Sequence, residues 1–377
     1  MARAWVLLSV LVVGASHAQQ NAIPPPPELA AKSYYLIDSS SGTVLAEGAA
    51  RERLEPASLT KLMTAYTVFK ALDAKQVALE DVVRVSEKAW RASGSRMFIE
   101  VATDVSVQDL LRGMIVQSGN DASIALAEHI SGSVPAFVEL MNDYANELGM
   151  TDTEYRNPTG LPAAEHLSSA HDAAILARAI IREFPEYYGW YSEREYTYNS
   201  ITQHNRNALL WRNASVDGLK TGYTEAAGYC LVSSAERSGM RLIAVVMGMP
   251  TAAARANASE ALLEYGFRNF ETHKIYTRGQ EVAKTRVWKG TPSSVALGLS
   301  DDLYVTIPRG RYPELAATME LEKTLVAPVD EADPVGEVQV SFDGRSLAVL
   351  PLVSLHDVPT AGLWTRLADE VRLWLAP

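Results

Sequence analysis

Pro56-Ala57-Ser58-Leu59-Thr60-Lys61-Leu62-Met63-Thr64 is the stretch that decides how this chain reads. Ser58 and Lys61 stand three residues apart, and residues at that spacing share one face of a helix. The Lys61 amine can therefore reach the Ser58 hydroxyl, which is a weak nucleophile until a neighbouring base takes its proton. Leu59, Leu62, Met63, Tyr66 and Phe69 recur at helical spacing, so residues 56–72 are predicted to be a helix. Ser58 then sits at the N-terminal end, where free N–H groups and the positive dipole end favour developing negative charge. Taken alone the signal is weak, because a serine-rich chain of this length holds about one Ser-x-x-Lys by chance.

Two later motifs strengthen it: Ser118-Gly119-Asn120 and then Lys220-Thr221-Gly222. Singly, the first is an ordinary turn and the second a strand ending in a turn. Residues 107–116 and 122–130 read as helices with 117–120 as the turn between them, and 170–182 as another. Residues 33–47 read as a β-hairpin, and 216–220, 229–233 and 242–247 as strands. One sheet made from the two ends of this region, with a helical block between, is an α+β arrangement. Past about Thr272 the runs are short, β-type and broken by Gly, Pro and Asp: 281–288, 295–299, 303–307 and 319–326. Residues 338–342 alternate, and Asp343-Gly344 marks a tight hairpin into 346–350, so a small β-sandwich is expected.

If the three motifs converge, Ser58 attacks an acyl carbonyl and Lys61 receives its proton. A lysine near its ordinary pKa of about 10.4 is protonated at neutral pH, so burial or a nearby cation must lower it. Lys220 is the candidate cation, and Ser118 a candidate relay between the lysines and the leaving amine. Asn120 offers an amide to orient the substrate or to hold Lys61. Two backbone N–H groups holding the oxyanion would each contribute about 3–4 kcal/mol to lowering the barrier. There is no G-x-S-x-G elbow and no H-E-x-x-H zinc helix. His129, His171, His204 and His273 read as packing or surface residues. No metal and no cofactor are expected.

The whole chain bounds the alternatives. Its 377 residues allow two or three domains, and 47% hydrophobic with 21% charged content is that of a globular protein. A formal net charge of −11 argues against nucleic acid as a partner, since phosphate contacts need a basic face. Arg3, the apolar run 5–13 and Ser16-His17-Ala18 read as an export signal over 1–18, too short for a membrane span of roughly 20 residues. A Pro-rich leader follows over 19–31, expected to be stiff and extended. Cys230 is the only cysteine, so no internal disulfide is possible, and its flanks make it a buried strand residue. In the tail over 360–377, Leu363, Trp364, Leu367, Val371, Trp374 and Leu375 form one helical stripe opposed by Arg366, Asp369, Glu370 and Arg372. Two tryptophans suit a membrane interface, the other reading being a helix packed on the β domain. The balanced charge of the polar face promises little help from anionic lipid.

With these residues in place, the chain resembles the D-alanyl-D-alanine carboxypeptidases of the low-molecular-mass penicillin-binding protein 5/6 type, from about Lys32 to the end. The resemblance rests on Pro56 to Thr64, on Gln117-Ser118-Gly119-Asn120-Asp121-Ala122 and on Val216 to Thr224. Thr306-Ile307-Pro308-Arg309-Gly310 looks like a signature of the family's second domain. It implies a β-lactamase/DD-peptidase-like domain over 32–272, an antiparallel sheet with helices on both faces. A small all-β sandwich over 273–358 and an amphipathic helix serving as membrane anchor would follow. It further implies that Ser58 is acylated, that Lys61 is the base, and that the Ser58 and Tyr223 N–H groups form the oxyanion hole. Thr221 and Arg255, with Arg206 a weaker candidate, would receive the substrate carboxylate beside Lys220 and Gly222. Tyr223 stands where many members carry histidine. The implied partners are the peptidoglycan stem peptide and β-lactams as covalent inhibitors, and the implied location is periplasmic, on the outer face of the cytoplasmic membrane. Rival readings are a serine β-lactamase-like hydrolase, for which the E-x-x-L-N deacylating pattern is missing, a DD-endopeptidase, and a non-catalytic peptidoglycan-binding protein.

Overall fold

The computed structural model describes residues 23–321 and 324–375. The export signal expected over 1–18 and the start of the leader lie outside the described residues. Residues 23–31 of the leader carry no regular structure but are not free of the fold. Leu29 and Ala31 pack on the core, and the Pro24 carbonyl accepts from Tyr265 Oη at 3.1 Å.

The first body is built on an antiparallel sheet of β1 (Ser33–Asp38), β2 (Val44–Gly48), β3 (Val216–Thr224), β4 (Gly228–Arg237) and β5 (Met240–Met249), in the order β2-β1-β5-β4-β3. Chain ends thus meet in one sheet, β1 lying against β5. Alternation explains why both faces are covered: Ile243, Val245 and Met247 point into one core and Leu242, Ala244 and Val246 into another. The first core is shared with α1 (Thr60–Asp73), α2 (Val107–Gln117), α3 (Asn120–Ser131), α4 (Val134–Glu147) and α5 (Ala170–Glu183). The second is covered by α6 (Ala252–Asn269), through Leu262, Leu263 and Phe267. Helices on both faces of an antiparallel sheet are what the resemblance implied. Two local expectations need correction. The helix expected over 56–72 is divided: Ala57–Leu59 is a 3-10 turn carrying Ser58, and the α-helix starts at Thr60. The turn expected over 117–120 is only Ser118-Gly119, with Ser118 in the left-handed region at φ 69°.

The second body is all β: β6 (Phe270–Tyr276), β7 (Ala283–Trp288), β8 (Ser294–Leu299), β9 (Leu303–Pro308), β10 (Leu315–Leu321), β11 (Leu325–Val326), β12 (Pro334–Phe342) and β13 (Arg345–Ser354). Six of these form a sheet in the order β10-β12-β13-β8-β7-β11, while β6 pairs with β9. Leu303 and Val305 of β9 share a core with Val338, Val340 and Leu352. The run read as one strand over 319–326 is two, β10 on β12 and β11 on β7. The bodies are joined at Asp38. Its Oδ1 accepts from Ser41 of the first body, and its Oδ2 from Thr272 Oγ1 of β6 at 2.8 Å. Helix α7 (Leu363–Leu375) ends the described chain. Among the described residues no helix is long and apolar enough to cross a membrane.

Candidate active site

Ser58 sits in the 3-10 turn, partly exposed, and Lys61 lies beneath it in the first turn of α1, 1% exposed. The turn is held from two sides by glycines. Gly160, at φ 81°, passes so close to Ala57 that a Cβ there would meet the Ala57 carbonyl oxygen at 1.8 Å. Gly222 of β3 brings that strand against the Ser58 N–H, which a Cβ would meet at 3.2 Å. Ala57 itself adopts φ 47°, a conformation costing a non-glycine residue roughly 1 kcal/mol, directly before the nucleophile.

The Lys61 amine donates to Ser58 Oγ at 3.2 Å, to Asn120 Oδ1 at 2.6 Å and to the Thr159 carbonyl at 2.5 Å. All three acceptors are neutral. Burial, and after it the positive charge of Arg206, bring its pKa down to about 7, against a weaker opposing pull from Asp121. Arg206, expected only as a carboxylate binder, thus joins Lys220 as a cation acting on this cleft. The Lys220 amine is 3% exposed, donates to the Thr221 carbonyl at 3.1 Å, and is itself driven well below its ordinary range by burial, then by Lys61, Arg206 and Arg255. Packing cations into one cleft holds both buried amines below the ordinary lysine range, an arrangement typical of functional sites.

Asn120 begins α3 and is tied to the preceding loop: its N–H donates to the Ser95 carbonyl at 2.7 Å and its Nδ2 to the Ser93 carbonyl at 2.6 Å. That leaves Oδ1 for Lys61. Ser118 is buried by its left-handed backbone, and its Oγ bonds no protein atom. Thr221 and Gly222 are buried on β3, the edge strand, while the Tyr223 ring turns outward, 54% exposed, and stacks on Tyr229 at 4.3 Å. Arg255 lies behind β4, its Nη1 donating to the Cys230 carbonyl at 3.4 Å and its guanidinium over the Tyr229 ring. Arg206 is exposed on the loop held by Asn205 and Asn207. Cys230 is buried in β4, and burial pushes its thiol up to about 11, so it is inert.

Three supporting groups escaped the sequence reading. Thr159 presents its carbonyl because Asn157 Oδ1 accepts from the Thr159 and Gly160 N–H groups, an Asx turn announced by Asn157-Pro158-Thr159-Gly160. His166 is buried. Its Nδ1 accepts from the Arg156 N–H at 2.9 Å, so Nε2 carries the proton and donates to Thr60 Oγ1 at 2.8 Å. Burial, with Arg156 and Lys61, brings His166 down to about 4, so the ring stays neutral. The Asp121 carboxylate accepts from the N–H groups of Met97, Phe98 and Ile99, pinning the loop that supports Asn120. Away from the cleft, Asp152, His171 and Asp172 bring three ligand-type atoms together, but Arg51 already bonds both Asp152 and His171.

A serine, a buried amine depleted of its proton and an amide holding that amine are now in one place, on a sheet flanked by helices. The family model described as D-alanyl-D-alanine carboxypeptidase matches residues 19–251, and that of the penicillin-binding protein 5 C-terminal domain matches 270–360. The chain belongs to the D-alanyl-D-alanine carboxypeptidase family. Within it, the chain is 45% identical over 371 residues to D-alanyl-D-alanine carboxypeptidase DacA of Haemophilus influenzae, covering 97% of this chain and 94% of that one. The crystal structure of penicillin binding protein 5 from Haemophilus influenzae superposes with a TM-score of 0.84 at 46% identity, covering 89% and 99%. Penicillin-binding protein D2 of Listeria monocytogenes, solved with ampicillin bound, matches with a TM-score of 0.60 at 31% identity, covering 65% of this chain and 100% of that one.

Proposed function

We propose that this carboxypeptidase removes the terminal D-alanine of peptidoglycan pentapeptide stems through an acyl-enzyme on Ser58. One observation carries the reading: a buried Lys61 amine, with a pKa near 7 and 3.2 Å from the Ser58 hydroxyl. Ser58 Oγ attacks the carbonyl of the penultimate D-alanine as Lys61 takes its proton. The oxyanion is received by the backbone N–H groups of Ser58 and Tyr223, which the absence of a side chain at Gly222 allows to approach one another. The leaving amine of D-alanine takes a proton passed from Lys61 through Ser118, whose hydroxyl has no other duty in the protein. Water then attacks the ester, and Lys61 again acts as base. Asn120 holds the amine in place. Lys220, Thr221 and Arg255 meet the free carboxylate at the substrate's end, with Arg206 at the rim, since arginine suits a carboxylate by its paired donors. β3 is an edge strand, so an extended peptide can pair with it as substrate.

A β-lactam presents a strained acyl group to the same serine, and the protein is expected to be inhibited rather than to turn the drug over. The enzyme acts after export, in the periplasm, held against the outer face of the cytoplasmic membrane by α7. Support for the last point is the exposure of its apolar stripe, Trp364 at 83% and Trp374 at 86%. Mass spectrometry after penicillin G treatment tests the central claim. The adduct is expected on the Ser58 peptide; an adduct elsewhere would overturn the assignment.

A further inference from the structure

Helix α7 meets the β body with its polar side. Asp369 is its one buried residue, 3% exposed, beneath a thin cover of basic side chains rather than inside the core. Oδ2 accepts from the Lys289 N–H at 2.8 Å, and Oδ1 from Arg286 at 3.1 Å and Arg372 at 3.5 Å. Arg286 is steadied in turn by the Trp288 ring, 3.7 Å away. Glu370 pairs with the Lys289 ammonium, and the Ala361 N–H donates to the Lys289 carbonyl at 2.8 Å. Stepping about 100° per residue places Leu363, Trp364, Leu367, Val371, Trp374 and Leu375 within about 60° of the direction opposite Asp369. All six are more than half exposed.

A helix on a water-soluble domain buries its apolar stripe; here the order is inverted. Rolling α7 over to hide the stripe would take Asp369 away from a backbone N–H and from Arg286, leaving those donors and the carboxylate to be resolvated. Asp369 is paired with Arg286 and with Arg372 of its own helix, and Glu370, still 66% exposed, with Lys289.

We propose that Asp369 is a positioning residue, a latch through which the β body presents the apolar stripe of α7 outward, in one fixed attitude, to a lipid surface. The lipid occupant rests on the membrane reading given above; the latch is a property of the free protein. The length fits, because 13 helical residues span roughly 20 Å and lie along an interface rather than cross it.

Hydrogen exchange on the full chain in buffer tests the latch without any membrane. The amides of 363–375 are expected to exchange about tenfold faster in Asp369→Leu than in the wild type. The paired reversal Asp369→Arg with Arg286→Asp should restore much of the protection. Hydrolysis of a soluble D-Ala-D-Ala peptide at the wild-type rate certifies each variant's fold, and Asp369→Asn serves should the leucine variant not fold. Equal exchange in wild type and variant overturns the latch. On phosphatidylglycerol vesicles, a dye at Lys88→Cys in the first body should report a single narrow distance to the lipid surface, broadened in Asp369→Leu. A wild type that ignores these vesicles while the exchange difference stands overturns the lipid occupant, and with it the membrane reading, but not the latch.

Discussion

Lys61 and Asp369 are both covered by the protein, at 1% and 3% exposure, yet the protein treats their charges in opposite ways. Around Lys61 the hydrogen-bond acceptors are neutral, a carboxamide, a carbonyl and a hydroxyl, and the positive charge of Arg206 adds to the effect of burial. Burial prevails and the amine gives up its proton near pH 7. Around Asp369 stand an N–H and two arginines, and the carboxyl is held below its ordinary range, first by the Lys289 N–H and then by Arg286. Covering a group does not fix its ionisation; the partners supplied with it do. Where a base is needed the counter-ion is withheld, and where a fixed contact is needed it is provided. The one carboxylate near Lys61, on Asp121, is already committed to backbone N–H groups.

The two sites also leave opposite marks on stability. Between the lowered Lys61 value near 7 and its ordinary 10.5, the unfolded chain holds a proton that the folded one lacks, so stability rises with pH across that window. For Asp369 the lowered value means a contribution present above its ordinary 3.8 and lost as pH falls through the folded value.

The largest expected effect breaks the comparison at its first member. Lys61→Ala should slow acylation by fluorescent penicillin at least about 10³-fold while circular dichroism stays native, because Lys61 is the amine hydrogen-bonded to Ser58. Labelling of that variant at the wild-type rate would remove Lys61 from proton transfer. Asp121→Asn comes next. It trades a charged acceptor for a neutral one at three loop N–H groups, and urea denaturation should report a loss of about 2 kcal/mol. Arg206→Ala sharpens the comparison by deleting the like charge near Lys61. Acylation of the wild type should climb with pH and level off above about 7; in the variant that limb should move to higher pH. A limb that stays put would leave burial as the sole cause. The smallest effect is expected for Tyr223→His, within about threefold in acylation rate, since the proposed mechanism uses only the backbone N–H at that position.

Much of this was legible from residue order. Ser58, Lys61 and Asn120 are joined by hydrogen bonds that helical spacing and motif order anticipate, and the strands of the central sheet announce themselves by β-branched runs. What escaped detection has physical reasons. Helix α6 covers a sheet face largely with alanines and a few large residues, Leu262, Leu263 and Phe267, so its stripe is faint in the sequence. Thr159 serves through a carbonyl, which every residue owns, and so carries no chemical label. That Arg206 acts on Lys61 escaped notice because loop geometry, unlike strand order, is not written in periodicity. That α7 turns Asp369 to the β body and its apolar stripe outward emerged only from the contacts of Lys289 and Arg286.

The carboxylate of Asp38 has a mechanical consequence. It bonds Ser41 on one side and Thr272 on the other, where the chain passes from one body to the next. A pivot at that place works on a long lever arm: a small rotation there would sweep the far tip of the β body widely. Short charge-assisted bonds at the pivot therefore do more to set the cleft's height above whatever the tip stands on than any contact near the tip could.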